Sequence, residues 1–177
     1  MDIIPGKIDL SSAEIELASE TDREYRLHGV LEKKKLERYD YVIIDTTPSL
    51  GLLTINALTA SDSVIIPIQA EYYALEGVSN LMRIIYMIKG MLNPDPKIKG
   101  VLLTMYDKRT KISQEVQKDV INFFEKQNMH VFKKAVPRNV KLAEAPSYGM
   151  PISIYDSDCA GDIVYRELAE EVRRLKK

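Results

Sequence analysis

Apolar positions along this chain follow two periods that alternate from one segment to the next. Tyr41-Val42-Ile43-Ile44, Ser63 to Ile68, and Ile98 to Met105 are short runs rich in β-branched and aliphatic residues. Such runs are the pattern of parallel strands buried on both faces. Between them the spacing turns helical. Leu50 to Ala60 reads as one helix, and Leu75, Val78, Leu81, Met82, Ile85, Met87, Ile88 and Leu92 mark a second, which Asn93-Pro94-Asp95-Pro96 stops. Ile112 to Glu125 predicts a third helix and Val131 to Val136 a shorter strand. Ala160 to Leu175 predicts a terminal helix with Ile163, Val164, Leu168, Val172 and Leu175 on one side.

Strands alternating with helices of this length predict right-handed crossovers. The expected fold is α/β: a three-layer, mostly parallel sheet flanked by helices, with residues 1–177 forming a single domain. The first 38 residues differ. They read as two polar amphipathic helices after Asp2-Ile3-Ile4-Pro5, which resembles the end of a strand. This predicts a domain truncated at its N-terminus.

Composition narrows the function classes. A chain of 177 residues with 45% hydrophobic content supports a substantial core. Its apolar runs fall short of the roughly 20 residues that span a bilayer, and no signal-like core opens it, so a cytoplasmic protein with no membrane association is expected. Cys159 has no second cysteine to pair with, and His28 and His130 are too far apart in sequence to outline a zinc site. The net charge of −1 hides a basic stretch from Lys97 to Lys141 with eleven Lys and Arg against four Asp and Glu. A local anionic partner and a merely solvated helix face both account for it.

The chemistry centres on Asp45. In open α/β sheets ligands collect outside the carboxyl ends of strands, so a carboxylate there suits a hydrated Mg²⁺ or an attacking water. Thr46, Thr47, Pro48 and Ser49 then form a turn whose hydroxyls suit a phosphate oxygen or cap the following helix. A plain turn or capping role for Asp45 is the competing reading. Nowhere does the chain contain G-x-x-x-x-G-K-[S/T], and Gly6-Lys7 is followed by Ile8.

Five ordered segments resemble the ParA/Soj family of chromosome and plasmid partitioning ATPases, deviant P-loop proteins related to MinD. They are Ala13 to Leu17, Tyr39 to Pro67, Gln69 to Gly77, Gly100 to Thr110, and Pro137 to Ile152. The resemblance implies a P-loop NTPase-like fold, ATP and Mg²⁺ as cofactors, and a homodimer that coats non-specific double-stranded DNA on the nucleoid. A ParB/Spo0J-like partner protein would trigger hydrolysis. It further implies that Asp45 holds Mg²⁺ through water, with Thr46 and Pro48 beside the nucleotide. Thr46-Thr47 stands where Cys-Pro is common in the family.

By the same resemblance, Gln69 to Gly77 corresponds to a switch-like segment, and Pro137-Arg138-Asn139 to the adenine-side loop. An ordinary loop is the competing reading of the latter. Arg109 and Lys141 match positions where relatives carry DNA-binding cations, and Lys108, Lys111, Lys133, Lys134 and Arg138 widen that surface. Tyr72, Tyr73 and the methionines from Met82 to Met91 are expected in core or dimer packing. The family's KGGxGKT-type loop has no counterpart in this chain, so Asp45 alone is not expected to sustain hydrolysis. A non-catalytic interaction module is the alternative function, and a membrane-cycling ATPase a weaker one.

Overall fold

Strands β1 (Ser63–Gln69) and β2 (Lys97–Thr104) pair in parallel, from Ser63 opposite Lys97 to Gln69 opposite Thr104, with one irregularity between Val64 and Ile65. The structure is a computed structural model that describes residues 2–33, 36–47, 49, 51–94 and 96–175. Two units divide the chain: Met1–Asp62 with Leu81–Pro96, and Ser63–Asn80 with Lys97–Lys177.

The second unit holds the sheet. β2 is buried continuously from Gly100 to Leu103, as a central parallel strand requires. β1 departs from the expectation of burial on both faces: Ile66 and Ile68 are buried, whereas Ile65 and Pro67 are exposed. Helix α5 (Lys111–Glu125) starts at Thr110, whose hydroxyl accepts from the Ser113 amide, and buries Ser113, Val116, Val120 and Phe124 along one stripe. Helix α8 (Ala160–Arg174) brings Val164, Leu168 and Val172, with Leu175 beyond it, onto a cluster of Leu102, Phe132 and Val136. Gly100 makes this packing possible, because a Cβ there would lie 2.8 Å from the Phe132 ring.

The strand expected over Val131 to Val136 is interrupted. His130 and Phe132 exchange backbone hydrogen bonds with Val101, and Val136 donates to Leu103, so both ends run beside β2. In the middle, the Lys133 amide turns to the Glu171 carboxylate at 3.2 Å instead. A side-chain acceptor on α8 has replaced the ladder bond. Between α5 and α8 the sequence periods also missed two short helices, α6 (Val140–Glu144) and α7 (Ile152–Tyr155), joined through a 3-10 turn at Ala145–Tyr148.

The first unit contains α1 (Ala13–Leu17), α2 (Arg26–Lys33), α3 (Leu52–Thr59) and the later residues of α4 (Ala74–Met91). The start of α4 belongs to the second unit. Helix α3 is its anchor. Asn56, buried within it, donates to the Arg23 and Leu52 carbonyls and accepts from the Leu27 amide at 3.1 Å. The Asn93 amide group caps the other end, donating to the carbonyls of Leu58, Thr59 and Ser61.

Tyr41 to Ile44 does not form the predicted strand. It lies outside any ladder among the described residues, and Ile43 is 90% exposed. The physical reason is pairing: a parallel strand needs a neighbour for its N–H and C=O groups, and no described segment offers one here.

Candidate functional site

Asp45 therefore follows a segment that lies outside any ladder among the described residues, rather than closing a buried strand. It is exposed, as are Thr46 and Thr47, and among the described residues its carboxylate accepts no hydrogen bond. The Thr47 and Ser49 hydroxyls lie 2.8 Å apart, and the Thr54 hydroxyl turns back to the Ser49 carbonyl. Pro48 and Leu50 lie outside the described residues. Ahead of α3 the chain thus carries an exposed carboxylate, followed two residues later by the first of a pair of mutually bonded hydroxyls. Among the described residues no three His, Cys, Asp or Glu side chains converge on a common metal position. A cation here would complete its coordination with water and ligand oxygens.

The basic candidates belong to the second unit. Beyond β2 the chain turns at Met105, which adopts a left-handed φ of 53°, and Tyr106 pairs with Pro137. The Tyr106 amide donates to Val136 and the Arg138 amide to Tyr106, so the loops at 105–110 and 136–139 run side by side. Asp107 organises the first. Its Oδ1 accepts from the Arg109 backbone amide and from Arg109 Nε, both at 3.0 Å, while its Oδ2 accepts from Arg109 Nη2 at 2.7 Å. This is an Asx turn closed by a bidentate guanidinium.

The side-chain bond from Arg109, then its backbone amide, lowers the Asp107 carboxyl from 3.8 to about 2. Because the folded value lies below the ordinary one, the pair is fully present above pH 3.8 and is lost as pH falls through about 2. We expect carbon-detected NMR to place the Asp107 titration near 2, and Arg109→Ala to return it toward 3.8. A wild-type midpoint at 3.8 would disprove the turn.

The neighbouring cations are similarly engaged. Arg138 donates to Glu71 at 2.9 Å, and Lys141 lies 3.3 Å from Glu144. Glu144 also accepts from the Tyr155 hydroxyl, which with Lys141 holds its carboxyl below the usual range. The Asn139 Oδ1 accepts from the Lys141 amide and caps α6. Among the described residues, Lys108 and Lys111 have no acidic side chain in ion-pair range. The structure thus gathers Arg109 and Arg138 around adjoining loops and sets Lys141 at the start of α6, directly after the second loop. Lys133 and Lys134 sit along the interrupted strand, where Lys134 pairs with Glu167 at 3.6 Å.

Sequence reasoning missed Asp107, although Asp-x-Arg-Thr before a helix is a recognisable turn-and-cap signal. Tyr72 and Tyr73 do not join the core of this chain. Both are exposed and meet edge to face at 5.1 Å. They border an open cavity of about 400 Å³ that also touches Leu75, Val116 and Asp119. Of the methionines in α4, Met82 is buried as expected, whereas Met87 and Met91 are exposed.

Comparison with known proteins places this arrangement. A family model described as an AAA domain matches residues 1–98. The sporulation initiation inhibitor protein Soj of Bacillus subtilis is 53% identical over 172 residues, covering 97% of this chain and 66% of its own length. The chromosome partitioning protein ParA of Caulobacter vibrioides is 48% identical over 173 residues, covering 97% of this chain and 64% of its own. The chain thus spans just under two thirds of these relatives. Among solved structures, cobyrinic acid a,c-diamide synthase from Mycobacterium smegmatis, with bound ADP and magnesium, superposes with a TM-score of 0.78 at 38% identity. That match covers 96% of this chain and 61% of that one. The parallel sheet flanked by helices is therefore P-loop NTPase-like, and the chain belongs to the ParA/Soj family of partitioning ATPases.

Proposed function

We propose that this chain carries the C-terminal two-thirds of a DNA-partitioning ATPase domain of the ParA/Soj type, its two units acting as one domain. The observation that carries this reading is the 53% identity to Soj across 97% of the chain. In the complete cycle, ATP with Mg²⁺ closes a homodimer, the dimer binds non-specific double-stranded DNA, and a ParB-like partner releases it by triggering hydrolysis. The residues present fit such a ligand: among the described residues Asp45 offers a carboxylate that accepts no hydrogen bond, and Thr46 and Pro48 neighbour it in sequence. Asp45 is assigned to Mg²⁺ through water, Pro137 and Asn139 to the adenine, and Lys108, Arg109, Lys111, Arg138 and Lys141 to DNA phosphates. Among the described residues no helix is long and apolar enough to cross a membrane. The proposed setting is the cytoplasm, on the nucleoid.

A second reading is favoured by one sequence fact. The 177 residues contain no G-x-x-x-x-G-K-[S/T] loop, whose backbone amides would cradle the phosphates. In that reading the chain is a catalytically inactive module that engages DNA or full-length homologues. Equilibrium binding of a fluorescent ATP analogue separates the two. Mg²⁺-dependent binding that weakens about tenfold or more in Asp45→Ala supports the nucleotide role, as loss of a charge-assisted contact predicts. Absence of Mg²⁺-dependent binding at millimolar nucleotide rejects it for this chain and leaves the interaction module.

A further inference from the structure

Helix α3 begins without the usual local help. Its N-cap residue is Gly51, which has no side chain to accept from the first-turn amides, and no acidic residue lies in that turn. The first amides of any helix lack intrahelical partners and favour a negative group nearby. Here the group comes from elsewhere in the chain. Glu14, on α1, accepts from the Leu53 amide through Oε1 at 3.2 Å. Glycine is what admits it: a Cβ at position 51 would lie 2.2 Å from Glu14 Oε1 and 2.9 Å from Oε2. The Gly51 backbone is extended, at φ −88° and ψ −170°, so its conformation does not demand glycine. The space taken by the carboxylate does.

We infer that Glu14 is a positioning residue for the Asp45 turn: its carboxylate, seated against Gly51 at the start of α3, sets where Asp45, Thr46 and Thr47 stand. Asn56 and Asn93 already tie the middle and end of α3 to other parts of the unit. Glu14 supplies a long-range tie at the end from which the candidate ligand residues lead. The consequence for nucleotide rests on the function proposed above, whereas the placement of the turn does not.

The test compares Glu14→Ala, Glu14→Gln, Gly51→Ala and the Glu14→Ala/Gly51→Ala double variant in the full chain by amide NMR. Glutamine keeps the Oε1 acceptor without the charge. Alanine at 51 meets only the tip of a flexible side chain, so it expels the carboxylate rather than straining the backbone. Glu14→Ala and Gly51→Ala should each shift the Leu53 amide and the signals of Asp45, Thr46 and Thr47. Glu14→Gln should retain most of the wild-type pattern, and the double variant should equal either single one, since both remove the same contact. Should Glu14→Ala fail to fold, Gly51→Ala and Glu14→Gln still decide the matter. Unmoved turn signals in Gly51→Ala, or additive shifts in the double variant, would overturn the inference. Broadening of the Asp45 signal by Mn²⁺ with an ATP analogue is read separately in the wild type. Its absence sinks the nucleotide reading and leaves the turn signals to judge this one.

Discussion

Replacing Phe124 by alanine lowers the stability of the second unit by about 3–5 kcal/mol. Phe124 is fully buried and ends the apolar stripe of α5 that begins with Val116 and Val120, about two turns and one turn earlier. Its backbone carbonyl also accepts from the amides of Gln127 and Met129, so the helix terminus is fixed and has little freedom to sink into the space left behind. The cost is therefore transfer of the ring plus an unrelieved cavity. Phe123, exposed at the adjoining position and edge-to-face with Phe124 at 5.1 Å, is the matched control. Phe123→Ala removes a similar ring from water-facing surface and should cost about 1 kcal/mol or less. Denaturant unfolding followed by circular dichroism, with hydrogen exchange on β2 amides, reports the difference. Equal losses for the two variants would mean that α5 does not face the core as described.

Local periodicity made much of this architecture legible. β1, β2, α3, α4, α5 and α8 all form where the apolar spacing places them, because one buried face or run dictates each. What escaped depends on partners distant in sequence. Tyr41 to Ile44 has the composition of a strand, yet composition does not supply a neighbouring strand. The interruption near Lys133 comes from Glu171, 38 residues away. The basic stretch illustrates the same limit at the candidate site. Arg138 looks free in sequence, but its acidic partner Glu71 is 67 residues earlier and outside the counted stretch. Asp107 and Glu144 likewise offset Arg109 and Lys141. Those two partners lie two and three residues away and were open to a local reading, whereas the pairing of Arg138 with Glu71 was not.

These carboxylates shape the expected DNA response. Double substitution of Arg109 and Lys141 by alanine, placed in a full-length relative, should weaken binding to a random duplex roughly tenfold or more at moderate salt. It should also reduce the slope of log affinity against log salt by about 2, close to one per phosphate contact. The side chains of Arg109 and Lys141 are 83% and 46% exposed, so their ion pairs are weak in water and a phosphate can replace the carboxylate at little cost. The partners then predict a change of opposite sign. Glu71→Gln leaves the Arg138 guanidinium without its anion and reduces local repulsion of phosphate, so it should strengthen duplex binding and steepen the salt dependence. Fluorescence anisotropy across a salt series measures both. If the double substitution leaves the slope unchanged, these loops do not meet the DNA backbone. If Glu71→Gln weakens binding while the double substitution behaves as expected, Glu71 serves to hold Arg138 in place rather than to compete for it.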